Sequence, residues 1–255
     1  MLFHVPVVAR FGHHFLLIFN VNRVRPTGNN TFSPRPSTGR LNTDNQKRES
    51  NLTINAMRIL CVADKVVPAL YENFDRGQFG RIDLILSCGD VPPEYLSFLK
   101  GVFGAPLYYI LGNHDIRYGQ SPPEGCMDIH GRLVRCGSLK ILGLAGSRWY
   151  NGGPNQYHEW QMRRLVWRLR PRLWWKKGVD IVLTHAPPRH IHDQEDPCHR
   201  GFAIYRRLID WYRPRYFLHG HIHRGFADDN ERITSVGTTQ VINCFGHYIF
   251  ESQDS

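Results

Sequence analysis

No apolar run in the 255-residue sequence approaches the ~20 residues of a membrane-spanning helix, which excludes a helical integral membrane protein. Near the N-terminus Phe15-Leu16-Leu17-Ile18-Phe19 is too short to span, and Arg10, His13 and His14 interrupt what would otherwise be a signal-peptide core. No pair of the six cysteines has Cys-x-x-Cys spacing, and Cys61 and Cys88 sit inside apolar, strand-like runs. With Cys126, Cys136, Cys198 and Cys244 they read as reduced thiols of a cytoplasmic protein. Acidic residues are scarce: 22 Asp and Glu face 32 Lys and Arg, for a net charge of +10. Such a balance admits an anionic partner, whether a phosphate ester, a nucleic acid or a membrane surface. The excess is uneven, because residues 1–56 carry Arg10, Arg23, Arg25, Arg35, Arg40, Lys47 and Arg48 against only Asp44 and Glu49. Much of the positive charge therefore lies outside the expected fold.

From Thr27 to Asn55 apolar residues are nearly absent, and Asn, Ser, Thr, Pro and Arg dominate. A segment of that composition cannot bury enough surface to offset the entropy of ordering, so it is expected to be disordered. The lack of acids before Asp44 also resembles a transit peptide. Met57 stands directly before the first core-like run and is expected to be the true or ancestral start. The division expected is a dispensable extension, 1–56, and one domain, 57–255. A chain beginning at Met57 should keep the solubility, melting temperature and activity of the full chain.

From Met57 onward, strand and helix patterns alternate. Arg58–Ala63 reads as a buried strand ending at Asp64, followed by a short helical stretch over Ala69–Phe74. Ile82–Cys88 is a second strand, ending at Gly89-Asp90, and Pro93-Glu94 opens a helix to about Val102. Pro106–Leu111 is a third strand, ending at Gly112-Asn113-His114-Asp115. Leu133–Cys136 and Lys140–Ala145 flank the turn Gly137-Ser138 as a hairpin. A long helix is expected from near Gln156, with Met162, Leu165, Val166 and Leu169 on one face and Pro171 kinking or ending it. Val179–Leu183 leads to Thr184-His185, and a helix marked by Phe202, Tyr205, Leu208, Ile209 and Tyr212 precedes the strand Tyr216–Leu218. Two or three further strands close the chain: Ile233–Val236, Thr239–Cys244 and His247–Phe250.

The chemistry-bearing residues gather at strand ends. Asp64, Asp90, Asn113, His185, His221 and His223 all follow strand-like runs, where open α/β sheets place their ligands. In the extended segment His219-Gly220-His221-Ile222-His223, residues two apart point the same way, so His221 and His223 converge. Imidazole is a favoured ligand for Zn, Mn and Fe. Any one of these residues reads equally well as a turn or cap; six spread over five strand ends do not.

The ordered set Gly89-Asp90, Gly112-Asn113-His114-Asp115, the lone His185 and Gly220-His221-Ile222-His223 resembles the calcineurin-like metallophosphoesterase superfamily, over Met57 to the C-terminus. The run Thr184-His185-Ala186-Pro187-Pro188 through His223 is similar to a bacterial branch of it. The resemblance implies an α/β/β/α fold: a two-sheet β-sandwich flanked by helices. It implies hydrolysis of a phosphate ester by a metal-activated hydroxide at a dinuclear centre, with two divalent ions (Mn, Fe or Zn) ~3.5–4 Å apart. By the same resemblance Asp90 bridges the ions, Asn113, His185 and His221 complete the second, and Asp64 and His223 hold the first. His114 is then the proton donor to the leaving alkoxide, oriented by Asp115. The chain departs from the superfamily at its first block, Asp-x-His, where it reads Asp64-Lys65-Val66. Valine cannot ligate, so the first ion is expected to bind weakly or to borrow His190, His192 or His199, and Lys65 stands where it could hold a substrate phosphate.

In the polar loop His190–Arg200, His199 and Arg200 are the expected substrate contacts, and Tyr150-Asn151-Gly152-Gly153-Pro154 is a flexible loop over the site. The helix with Arg163, Arg164, Arg168, Arg170 and Arg172 beside Trp167, Trp174 and Trp175 reads as a nucleic-acid or membrane face, or as a helix that buries one stripe and solvates its arginines. Of these the last is preferred; no membrane partner is expected, nucleic acid is secondary, and oligomeric state stays open. Two alternative functions remain at this point: a nuclease or cyclic-nucleotide diesterase, and a metal-depleted scaffold that binds a partner.

Overall fold

The computed structural model describes residues 56–252; the expectations about the N-terminal extension fall on residues outside that range. In chain order the elements are β1 (Arg58–Ala63), α1 (Arg76–Phe79), β2 (Leu84–Ser87), α2 (Pro93–Phe103), β3 (Leu107–Tyr109), β4 (Met127–Asp128), β5 (Arg132–Cys136) and β6 (Leu139–Leu144). Then follow β7 (Ser147–Arg148), β8 (Gln156–Tyr157), α3 (Glu159–Trp175), β9 (Ile181–Thr184), α4 (Ala203–Tyr212), β10 (Tyr216–His219), β11 (Ile233–Val236), β12 (Thr239–Asn243) and β13 (Gly246–Glu251).

Two main sheets form, with strand orders β13-β1-β2-β3-β4 and β11-β12-β10-β9-β6-β5. Within the first, β1, β2, β3 and β4 are parallel; within the second, β6, β9, β10 and β12 are. The antiparallel strands β13, β11 and β5 are confined to sheet edges.

Side-chain alternation along each strand divides the core into three layers. Ile59, Cys61 and Ala63 of β1, with Leu84 and Leu86 of β2, meet Ile181 and Leu183 of β9 and Leu218 of β10 between the two sheets. The intervening residues Leu60, Val62 and Ile85 face outward onto Tyr95, Leu96, Leu99 and Phe103 of α2. On the other side, Val182, Phe217 and Val241 face outward onto Met162, Val166, Leu169 and Leu173 of α3 and Leu208 of α4. The layers run α/β/β/α, as the sequence leads one to expect. Strands buried on both faces need near-continuous apolar runs, which is why β1, β2, β9 and β10 read as such.

Local signals set most element ends. Pro93 opens α2 with Glu94 in its first turn, and Gly104 closes it at φ 67 with Lys100 in the last turn. Two expectations shift. The stretch over Ala69–Phe74 is a single 3-10 turn, Pro68–Leu70, followed by α1, whose N-cap Asp75 accepts the Gly77 N–H. Pro171 does not end α3, which continues to Trp175. Its missing N–H removes one bond on the outward side, while Leu169 and Leu173 on the inner side remain packed.

Candidate metal centre

The parallel strands of both sheets end at one place. Asp64 follows β1, Asp90 lies three residues after β2, Asn113 and His114 follow β3, His185 follows β9, and His221 and His223 follow β10. Backbone contacts stitch these ends together: Asp64 N–H to the Gly89 carbonyl at 3.1 Å and Gly220 N–H to the His185 carbonyl at 3.0 Å. Across the sheets, the Asp64 carboxylate accepts the His221 N–H at 3.0 and 2.9 Å. Three of the converging residues adopt left-handed backbone: Asp64 at φ 63, Asp90 at φ 56 and His221 at φ 68. Non-glycine residues take that conformation at some cost and concentrate at functional sites.

Close approach explains two glycines. A Cβ on Gly112 would collide with the Asp90 carboxylate and come within 2.7 Å of His185, and one on Gly220 would lie 2.7 Å from Asp64 Oδ2. Gly112→Ala should therefore lower metal affinity and cost about 1–3 kcal/mol of stability, the usual penalty of overpacking. Thermal melts with and without Mn would check this, and an unshifted melting temperature would refute it.

The polar geometry fits a cation. His185 is fully buried, and its Nδ1 lies 2.8 Å from the Cys88 carbonyl oxygen, which can only accept, so Nδ1 carries the proton. Its Nε2 lies 3.0 Å from Asn113 Oδ1 and 3.2 Å from Asp90 Oδ2. The Asn113 amide nitrogen donates to the Tyr150 hydroxyl at 3.2 Å, which turns Oδ1 toward the histidine. Asp90 Oδ2 is buried and makes no hydrogen bond. Two acceptor oxygens and a ring nitrogen thus meet at one point, and only a positive charge satisfies all three.

Without a metal, a proton supplies that charge. Burial pushes the His185 pKa down, but the Asp90 carboxylate outweighs it and raises it to about 9. Burial likewise works against ionised Asp90, yet His185 and the His114 N–H, at 2.8 Å from Oδ1, hold its pKa below the usual carboxylate value. His221 is pushed down to about 3 by burial, then by the His185 charge, and stays a neutral imidazole. Its Nε2 donates to the Cys198 carbonyl at 2.8 Å, leaving Nδ1 free to ligate. Ligand atoms of Asp90, His185 and His221 all lie within 4.8 Å of one another.

The other residues expected at the site take varied positions. His223 is exposed, with Nε2 3.6 Å from Asp64 Oδ1, and that facing carboxylate raises its pKa. Val66 packs against the apolar cluster on the outer face of the first sheet. His192 does not take the missing ligand's place: its Nδ1 meets His219 Nε2 at 2.8 Å and its Nε2 meets Thr234 Oγ1 at 2.8 Å. His199 stands beside the cluster, its ring 5.3 Å from that of His221 and its Nδ1 3.0 Å from Asp196. Arg200 donates to the Glu195 carbonyl at 2.9 Å, so its guanidinium is tied to the loop. Lys65 is exposed, and no carboxylate pairs with it among the described residues.

His114 has an exposed side chain and lines an open cavity of about 340 Å³ together with Asp90 and Arg117. Asp115 does not orient it. The buried Asp115 carboxylate takes the N–H groups of Asp90 and Gly112, both at 2.8 Å on Oδ2, because these donors lie beside it inside the loop. Burial raises its pKa to about 6, against the pull of the Gly112 N–H. Its place is structural: it clamps the end of β2 to the end of β3. Sequence reasoning also missed the Cys88 and Cys198 carbonyls, which fix the two imidazoles, and the His192–His219 pair; a main-chain acceptor leaves no mark on residue identity.

Comparison with known proteins agrees with this fold. The calcineurin-like phosphoesterase family model matches residues 57–225. The chain is 24% identical over 229 residues to metallophosphoesterase domain-containing protein 1 of Homo sapiens, covering 73% of this chain and 65% of that protein, with the same figures for its Mus musculus counterpart. It thus spans just under two thirds of the length of these relatives. Among solved structures, a Thermus thermophilus protein shares the fold at TM-score 0.55 and 15% identity, over 78% of this chain and 99% of the other. With the family model spanning the strand-end residues from Asp64 to His223, the chain belongs to the calcineurin-like phosphoesterase family.

Proposed function

We propose that this chain hydrolyses a phosphate ester at a dinuclear metal centre, with His114 as proton donor to the leaving alkoxide. The observation that carries this reading is that Asp90 Oδ2 and Asn113 Oδ1 both lie within 3.2 Å of the buried His185 Nε2, while Asp90 Oδ2 has no hydrogen-bond partner among the described residues. Asp90, Asn113, His185 and His221 would hold one ion; Asp64, Asp90 and His223 would hold the other. When bound, such ions supply Lewis acidity at phosphorus and lower the pKa of a water nucleophile. Mn, Fe and Zn all suit the mixed nitrogen and oxygen set.

The remaining steps belong to the protein. The Tyr150 hydroxyl fixes the Asn113 amide, and Asp115 fixes the loop carrying Asp90 and His114. His114 stands at the open cavity next to Asp90, where a leaving group has room and the ring can reach it. Lys65, exposed and next to Asp64 in the chain, would hold a phosphate oxygen as a point charge, and His199, whose ring lies beside that of His221, would contact substrate together with Arg200. The chain is read as cytoplasmic: all six cysteines are free thiols.

Val66 sits where the family has a ligating histidine, and His192 is committed elsewhere, so the two sites should differ in affinity. Calorimetric titration of chelator-stripped protein with Mn should resolve one tight and one weak event, and hydrolysis of an aryl phosphate should follow the weak one. Two equally tight events would show that another group completes the first site. No binding even at millimolar Mn would favour the scaffold reading over the enzyme.

A further inference from the structure

We infer that the outward face of α3 is a docking surface for an anionic lipid bilayer. Trp160, Trp167 and Trp174 recur every seven residues, which sets them in one row along the helix. They are 60%, 47% and 81% exposed, and Trp175 beside them is 72% exposed. Exposure of so much indole on one helix is unusual for a soluble surface. Trp211 of α4, 37% exposed, extends the row, and with Trp167, Arg170 and Trp174 it lines an open groove of about 540 Å³.

Charge names the partner. From Trp160 to Lys177 the chain carries Arg163, Arg164, Arg168, Arg170, Arg172, Lys176 and Lys177 and no acid. On α4, Arg206 and Arg207 outnumber Asp210. A face of exposed indoles set among unopposed cations complements a surface that is anionic outside and apolar just beneath. Tryptophan prefers that boundary, and arginine and lysine stems lie along apolar surface while their heads reach phosphate. The same charge argues against other occupants. A second copy would oppose like with like, and residues 1–55 are themselves basic.

Ring geometry favours lipid over nucleic acid. Base stacking needs open aromatic faces. Here the Arg170 guanidinium lies 4.5 Å from the Trp167 ring centre and 4.7 Å from that of Trp211, while Lys176 Nζ lies 4.3 Å from that of Trp175. Trp167 and Trp211 meet edge to face at 72°, so they offer no parallel pair of faces between which a base could stack. Among the described residues no helix is long and apolar enough to cross a membrane. The sequence expectation of no membrane partner rests on the preferred reading of this helix, one that buries a stripe and solvates its arginines, together with the lack of such a run. That lack excludes spanning and leaves peripheral attachment open.

The full chain should co-sediment with vesicles of phosphatidylserine and phosphatidylcholine but not with phosphatidylcholine alone, and roughly 0.5 M NaCl should release much of it, as electrostatic attachment requires. The double variant Trp174→Ser/Trp175→Ser should reduce the bound fraction roughly tenfold, since membrane affinity scales with the apolar area inserted. Both indoles are exposed, so its melting temperature should stay unchanged; if it fails to fold, Arg163→Glu/Arg168→Glu reads the same face through charge. Because the N-terminal basic residues remain in every variant, any loss belongs to α3. Failure of the full chain to bind anionic vesicles overturns the inference. So does undiminished binding by these variants, or displacement from vesicles by single-stranded oligonucleotide at far lower concentration than by soluble phosphatidylserine headgroup.

Discussion

Asp90→Asn should abolish hydrolysis and strip metal together. The carboxylate stands 3.2 Å from His185 Nε2 and accepts the His114 N–H at 2.8 Å, so it links the second sheet to the loop after β3. An amide keeps the shape but gives up the negative charge, and it turns either a nitrogen or a weaker oxygen toward the cation. Metal assistance is worth several kcal/mol, and each ~1.4 kcal/mol is tenfold in rate, so a fall of roughly a thousandfold or more is expected. Elemental analysis of the purified variant should show depleted metal, and His185 should lose the partner that raises its pKa. A variant that keeps its metal and acts within tenfold of wild type would remove Asp90 from the centre.

His114→Ala should separate chemistry from metal binding. The imidazole is exposed at the cavity, and the recorded hydrogen bond from His114 to Asp90 comes from its main chain. General acid catalysis contributes typically ~100–10,000-fold, so turnover should fall by that order while bound metal stays nearly constant. The loss should be smaller for substrates with acidic phenol leaving groups than for alkyl esters, because a good leaving group needs little protonation. If the substitution strips metal instead, His114 is a ligand and its assignment as donor fails. Asp115→Asn should then be informative by contrast. Its carboxylate holds the backbone of Asp90 and Gly112, so its loss should reach metal affinity first and turnover through it.

Much of this is legible without coordinates. Strands buried on both faces write themselves as apolar runs, and each run ends in a polar residue that the core cannot absorb. That is how Asp64, Asp90, Asn113, His185, His221 and His223 stand out. The Gly137-Ser138 hairpin follows from its turn residues and the α4 stripe from period, and the structure pairs Cys136 with Leu139 across that turn. Local chemistry is less decisive where it competes with packing. Pro171 is expected to kink or end α3; Leu169 and Leu173 on either side are held in the core, and the helix runs through it to Trp175.

What only the tertiary structure decided is which atoms meet. His192 looks like a spare ligand because of its residue type; both its ring nitrogens are spent on His219 and Thr234, which the fold brings within 2.8 Å. Asp115 looks like a partner for His114 because it is adjacent in sequence; its buried carboxylate instead takes the nearest N–H donors. The carbonyls of Cys88 and Cys198, which aim His185 and His221, are present at every position and so carry no sequence signal. The sequence by itself determined the alternation of strand and helix and the list of candidate ligands, because burial and valence act on residue type; the α/β/β/α layering was implied by its resemblance to the phosphoesterase superfamily. The structure decided their roles, because hydrogen bonds are formed by distance and direction across chain separations that composition cannot encode.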